Sequence, residues 1–103
     1  MYELKIITHF AAAHQLWDFK GPCENLHGHN WKIEVYIVSE VLNKAGLVID
    51  FGILKEKTEA IIKELDHKFL NDLSPFRDRN PSSENIAQYI AEQLSSELDG
   101  SAI

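Results

Sequence analysis

Between positions 23 and 29 the chain reads Cys23-Glu24-Asn25-Leu26-His27-Gly28-His29, a thiol followed by two imidazoles separated by one glycine. On a strand, side chains at i and i+2 project to the same face, so His27 and His29 can present their nitrogens to one metal ion. A third imidazole, His14, closes an upstream strand-like run, and antiparallel pairing of the two runs brings that end beside His27 and His29. Three neutral histidines leave the fourth position of a tetrahedral zinc for water or substrate, as in catalytic rather than structural zinc. An isolated His-x-His pair suits a turn or a surface equally well; the third histidine and the adjacent thiol favour the metal. Cys23 is either a further donor or, because three histidines already satisfy the ion, a thiol left to act on what binds there.

A second grouping is Leu65-Asp66-His67, where the carboxylate can hold the imidazole in one tautomer for proton transfer. The pair lies at a helix end, where a histidine also serves simply to cap carbonyls or meet the dipole. His9 is offset by five residues from His14, which puts it on the opposite face of a regular strand and outside the site. Trp17, Phe19 and Trp31 suit either a pocket for a flat ring or the core.

These residues need a scaffold. From Tyr2 to Phe10, continuing towards His14, Leu4, Ile6, Thr8 and Phe10 alternate with Glu3, Lys5, Ile7 and His9, the period of a strand. After an irregular stretch from Gln15 to Leu26, His29, Trp31, Ile33, Val35 and Ile37 share one face of a second strand, opposite Asn30, Lys32, Glu34 and Tyr36. Gly46 to Phe51 is expected to form a short third strand. Phe51, Leu54, Thr58, Ile61, Ile62, Leu65 and Phe69 then recur at helical spacing, with the charges from Lys55 to Glu64 on the solvated side. A second helix follows Pro81, with Ser82 or Ser83 as N-cap and Ile86, Tyr89, Ile90, Leu94 and Leu98 as its buried stripe, and it ends at Asp99-Gly100. The order of elements predicts an α+β fold, two helices layered on an antiparallel sheet.

At 103 residues the chain reads as a single domain, 1–103, small enough that association with further copies is expected. A net charge of −6 and a pI near 5.2 argue against a broad electrostatic grip on nucleic acid. No apolar run approaches a bilayer span and the first residues lack the design of a signal peptide, so the expected setting is the cytoplasm, away from membranes. The one cysteine has no partner for an internal disulfide.

Taken in order, Phe10-Ala11-Ala12-Ala13-His14, Cys23-x3-His27-Gly28-His29, Asp50-Phe51, Leu65-Asp66-His67 with Leu70-Asn71, and Asn80-Pro81-Ser82-Ser83-Glu84-Asn85 resemble the 6-pyruvoyltetrahydropterin synthase / 6-carboxytetrahydropterin synthase (QueD) family. The resemblance covers about Leu4 to Leu98. Its three-residue gap between the cysteine and His-Gly-His is similar to that of the bacterial 6-carboxytetrahydropterin synthases. It implies a tunnelling fold, in which subunits join their sheets into a barrel, with active sites at the boundaries of a homo-oligomer, a hexamer or tetramer. It further implies Zn²⁺ on His14, His27 and His29, a Cys23 base, an Asp66-His67 relay, and Ser82 and Ser83 at the pterin edge. The implied reaction is that of a lyase: 7,8-dihydroneopterin triphosphate becomes 6-carboxytetrahydropterin, with loss of acetaldehyde and triphosphate, in queuosine biosynthesis. Sibling chemistries are elimination of triphosphate as in the pyruvoyl enzymes and a zinc-binding form with impaired catalysis. Family members continue past the second helix into a final strand with a pterin-binding glutamate. The sequence here ends at Ser101-Ala102-Ile103, so that strand and its glutamate are expected to be missing.

Overall fold

The computed structural model describes residues 1–17 and 26–98, the His27 side chain excepted. Two long strands, β1 (Tyr2–His14) and β2 (His27–Ser39), run antiparallel with His14 opposite His27, Ala12 opposite His29 and Phe10 opposite Trp31. The alternation read from β1 holds: Ile6, Thr8 and Phe10 are buried while Glu3, Lys5, Ile7 and His9 are exposed. On β2 the run begins at His27, two residues earlier than the apolar pattern starts, because the His-Gly-His segment is already paired with the end of β1.

Helix α1 (Phe51–Leu65) is started by Asp50, whose Oδ1 accepts the N–H groups of Gly52 at 2.7 Å and Ile53 at 3.2 Å. Leu54, Thr58, Ile61, Ile62 and Leu65 are buried as expected. Phe51 is not: it stays 49% exposed, in a groove shared with Tyr2 and Leu4 of β1. The stripe also stops before Phe69. The helix ends at Leu65, Asp66 turns extended, and Lys68–Phe69 form a short strand, β3, parallel to β1 through Ala12 and Ala13. Sheet order is β2-β1-β3.

The third strand expected over Gly46 to Phe51 does not form: after a turn at Lys44-Ala45 the chain bends through this segment into α1, which starts at Phe51. The Asn43 side chain accepts the N–H groups of Ala45 and Leu47, the Asn43 N–H donates to the Leu47 carbonyl, and Gly46 sits at φ 81°. Backbone groups a strand would use are thereby committed locally. The second helix, α2 (Ser83–Glu97), begins with Ser82 accepting the Asn85 N–H at 3.1 Å. Its Ile86, Ile90, Leu94 and Leu98 join Ile6, Phe10, Val35 and Ile37 of the sheet and Leu54, Ile61 and Leu65 of α1 in one core. Each such fully buried aliphatic side chain is worth about 1.5–3 kcal/mol. That core fixes the end of the β1–β2 ladder, where the candidate ligands sit.

Candidate metal and catalytic site

His14 is the last residue of β1 and only 3% exposed. Its Nδ1 lies 2.7 Å from the carbonyl oxygen of Pro81, which can only accept. The neutral ring therefore carries its proton on Nδ1 and its lone pair on Nε2, the state in which a histidine binds a metal while a backbone carbonyl fixes its orientation. Across the ladder, the His29 ring centroid is 5.2 Å from that of His14, at an interplanar angle of 70°. Two imidazoles on one zinc, with bonds of about 2.0–2.1 Å at a tetrahedral angle, place their centroids about 5.2 Å apart. The observed spacing fits a shared ion.

Trp31 completes the cluster. Its ring is 5.0 Å from His14 and 5.2 Å from His29, edge-on to both, and stacks on Phe10 at 6.0 Å. Ala12, across from His29 and two residues before His14, contributes only a methyl group, which leaves room for three rings to meet.

Of the third expected donor, the backbone is in place: His27 is paired directly with His14, on the same face as His29. The His27 side chain and the whole of Cys23 lie outside the described residues. Among the described residues, no three His, Cys, Asp and Glu side chains group as a metal cage. Of the three candidate ligands, His14 and His29 have described side chains.

The loop between β3 and α2 positions the outgoing end of β1. Asn71 accepts the Gln15 N–H at 2.9 Å and donates to the Gln15 carbonyl at 2.7 Å. Asn80 brackets Trp17 in the same way, both bonds at 2.8 Å, and its own carbonyl accepts from Asn85. Each amide satisfies one backbone N–H and one carbonyl of this segment, as a neighbouring strand would. Sequence reading noted Asn71 and Asn80 only as parts of a family pattern, and it missed the Pro81 carbonyl altogether. A lone Asn in a loop gives no hint of which distant backbone it will bracket.

Asp66 and His67 do come together. The Asp66 Oδ2 lies 3.0 Å from the His67 Nδ1, and Oδ1 accepts the Ala11 N–H at 2.9 Å. The His67 N–H donates in turn to the Ala11 carbonyl. Both residues are thus bracketed on the edge of β1, which holds His67 at φ 59°, a left-handed conformation uncommon for a residue with a Cβ. The His67 side chain is 81% exposed and projects from this anchored backbone. It lines a groove of about 510 Å³ floored by Ala11, Ala13 and Gly28 and bounded by His29 and Asn30. A second groove of about 360 Å³ contains His14, His29, Trp31, Ser82 and Ser83. His29 and Asn30 line both grooves, with His67 on the first and Ser82 and Ser83 on the second. The Ser82 hydroxyl is engaged as the α2 cap; Ser83 is exposed.

The Ala11 N–H holds the Asp66 carboxyl below its ordinary value; burial is the next largest influence and opposes it, while the bond and charge of His67 lower it further. A carboxylate with a folded-state pKa below its unfolded one contributes stability that is complete above the unfolded value and is lost as pH falls through the folded one. Below about pH 4 the protein is therefore expected to lose stability more steeply than Asp66→Asn does, as measured by urea unfolding across the acid range. Equal slopes would show that the Ala11 bond does not favour the ionised form.

The model of a family described as 6-pyruvoyl tetrahydropterin synthase matches residues 3–103. The chain belongs to that family. A 6-carboxy-5,6,7,8-tetrahydropterin synthase from Synechocystis is 40% identical over 90 residues, covering 82% of this chain and 68% of that protein. A dihydroneopterin monophosphate aldolase from Pyrococcus furiosus is 42% identical over 77 residues, 75% of this chain and 62%, under two thirds, of that enzyme. The solved Caenorhabditis elegans 6-pyruvoyl tetrahydropterin synthase superposes with a TM-score of 0.85 at 29% identity, covering 96% of this chain and 80% of that one. The α+β tunnelling fold expected from the sequence is the fold of this synthase family, and the chain has it. No helix among the described residues is long and apolar enough to cross a membrane.

Proposed function

We propose that the protein is a zinc-dependent 6-carboxytetrahydropterin synthase acting on 7,8-dihydroneopterin triphosphate. The observation that carries this reading is the His14–His29 pair, spaced for one ion with the His14 tautomer fixed by Pro81, in a chain 40% identical to a synthase of that name. His27, directly opposite His14, is the third ligand. Zinc held there supplies Lewis acidity towards the side-chain oxygens of the substrate and so acidifies the neighbouring C–H bonds. Cys23 removes a carbon-bound proton as thiolate. His67, with its Nδ1 on Asp66, offers Nε2 to the substrate and moves a proton at a second position, so that oxidation state is redistributed within the substrate without an external nicotinamide. Ser83 meets the pterin from the start of α2, and Ser82 holds that helix start in place.

The reading includes a homo-oligomer, hexamer or tetramer, with sites at subunit boundaries. Ile7, Tyr36 and Val38 support it, since they leave apolar surface on the sheet face away from the helices.

Incubating the zinc-loaded protein with dihydroneopterin triphosphate tests the assignment. Equimolar acetaldehyde and 6-carboxytetrahydropterin are expected by chromatography, and no acetaldehyde above the protein-free control would overturn it. The aldolase relative motivates a second reading, with the monophosphate as substrate. Consumption of dihydroneopterin monophosphate in preference to the triphosphate would favour it.

A further inference from the structure

We infer that Trp31 is a positioning residue of the metal centre: a fixed aromatic wall that sets the ring orientations of His14 and His29 before any ion arrives. The inference rests on the metal reading above for its purpose, though its geometry is independent of it.

Three rings meet here almost mutually perpendicular, with interplanar angles of 70° for His14–His29, 85° for His14–Trp31 and 75° for His29–Trp31. Perpendicular contact sets the electropositive edge of one ring against the electron-rich face of another, a preferred arrangement that parallel sliding or splaying would lose. Trp31 is the member of the trio suited to act as reference. It sits opposite Phe10 in the β1–β2 ladder and stacks on that buried ring with planes only 12° apart, so its own plane is set by the core. His14 has a further anchor in the Pro81 carbonyl. His29 stands at the exposed end of the ladder, with Trp31 two residues on along the same face.

An ordinary core role does not account for the choice of residue. A buried tryptophan usually finds a partner for its indole N–H, yet the Trp31 Nε1 is buried without a hydrogen-bond partner among the described residues. What the position uses is the ring, not the donor. Phenylalanine should therefore serve almost as well, and an apolar side chain without a ring should not.

The test compares the full chain with Trp31→Phe and Trp31→Met, the latter keeping apolar bulk without a ring. In metal-free protein, NMR of the imidazole protons reads the ring-current shifts that Trp31 imposes. Those of His14 and His29 are expected to persist in Trp31→Phe and to collapse towards free-histidine values in Trp31→Met. Zinc affinity by chelator competition, well below each protein's unfolding temperature, is expected to stay within about threefold of wild type for Trp31→Phe. It should weaken by about ten- to a hundredfold for Trp31→Met, the range seen when an outer-shell partner of a metal ligand is removed. Unchanged imidazole shifts and affinity in Trp31→Met overturn the inference, as does a Trp31→Phe protein as impaired as Trp31→Met. If Trp31→Met does not fold, loss of the His14 and His29 shifts in Trp31→Phe overturns it alone. A wild type that takes up no zinc defeats the metal reading instead, while the shifts in metal-free protein still decide whether Trp31 orients the two rings.

Discussion

His14→Ala is expected to bind no zinc and to show no measurable turnover, a loss of at least about a thousandfold, while His9→Ala keeps both. The two histidines lie on the same strand, five residues apart, yet they face opposite sides of the sheet. His9 is exposed on the open face, whereas His14 is buried with its Nδ1 committed to Pro81. Removing the His14 ring takes away the Nε2 donor and leaves the Pro81 carbonyl without that hydrogen bond, at a cost of about 1–3 kcal/mol in metal-free protein. The two effects separate experimentally. An ion that binds only the folded state raises stability by mass action, about 2.7 kcal/mol at a free concentration one hundred times its dissociation constant. Wild type and His9→Ala should therefore melt at higher temperature with zinc than with chelator, and His14→Ala should melt at one temperature in both. A zinc-dependent rise in His14→Ala equal to that of wild type would remove His14 from the ligand set.

How much of this was legible in the sequence depended on the range of the interaction concerned. Strand alternation and the α2 stripe are local periodicities, and Phe10, Ile37, Ile86 and Leu94 fall where those periods put them. The Ser82 cap is likewise local, acting within three residues, whereas the Asp50 cap falls inside the segment expected to be a strand. Errors arose where distant partners decided the outcome. Phe69 continues the helical spacing of α1, but Asp66 and His67 bond to Ala11, fifty-five residues from Asp66, and pull the chain out of the helix into β3. The expected strand over Gly46 to Phe51 yielded to Asn43, whose side chain closes a turn first.

The candidate site divides in the same way. His14, His27 and His29 were picked out by residue type and strand parity, and the ladder places their backbones together. The carbonyl that fixes the His14 tautomer comes from Pro81, sixty-seven residues away, and carries no side-chain signature. Trp31 was visible as an aromatic residue, but only three-dimensional packing distinguishes a wall against two imidazoles from a core filler. Chemistry-bearing side chains can be read from type and parity; the groups that aim them are contributed by loops whose folding the local sequence does not reveal.

Cys23→Ala is expected to retain one zinc per chain and to lose turnover by about a hundred- to ten-thousandfold, the contribution of a positioned general base. In the proposed site His14 and His29 stand 5.2 Å apart between ring centroids, His27 pairs with His14 in the ladder, and three histidine ligands would leave the open position that a Lewis-acid site needs. A thiolate as fourth ligand would close that position, so the same cysteine cannot both complete the shell and leave room for substrate oxygens. In the sequence Cys23 lies four residues before His27. A neighbouring cation lowers a thiol's pKa and puts more of it in the basic form at working pH. The pH dependence of kcat/KM should accordingly show a basic group in wild type that is missing from the residual activity of Cys23→Ala. Substituting Co²⁺ for zinc gives the decisive comparison, since an intense sulfur-to-metal charge-transfer band in wild type, absent from the variant, would make Cys23 a ligand and transfer the role of base to His67.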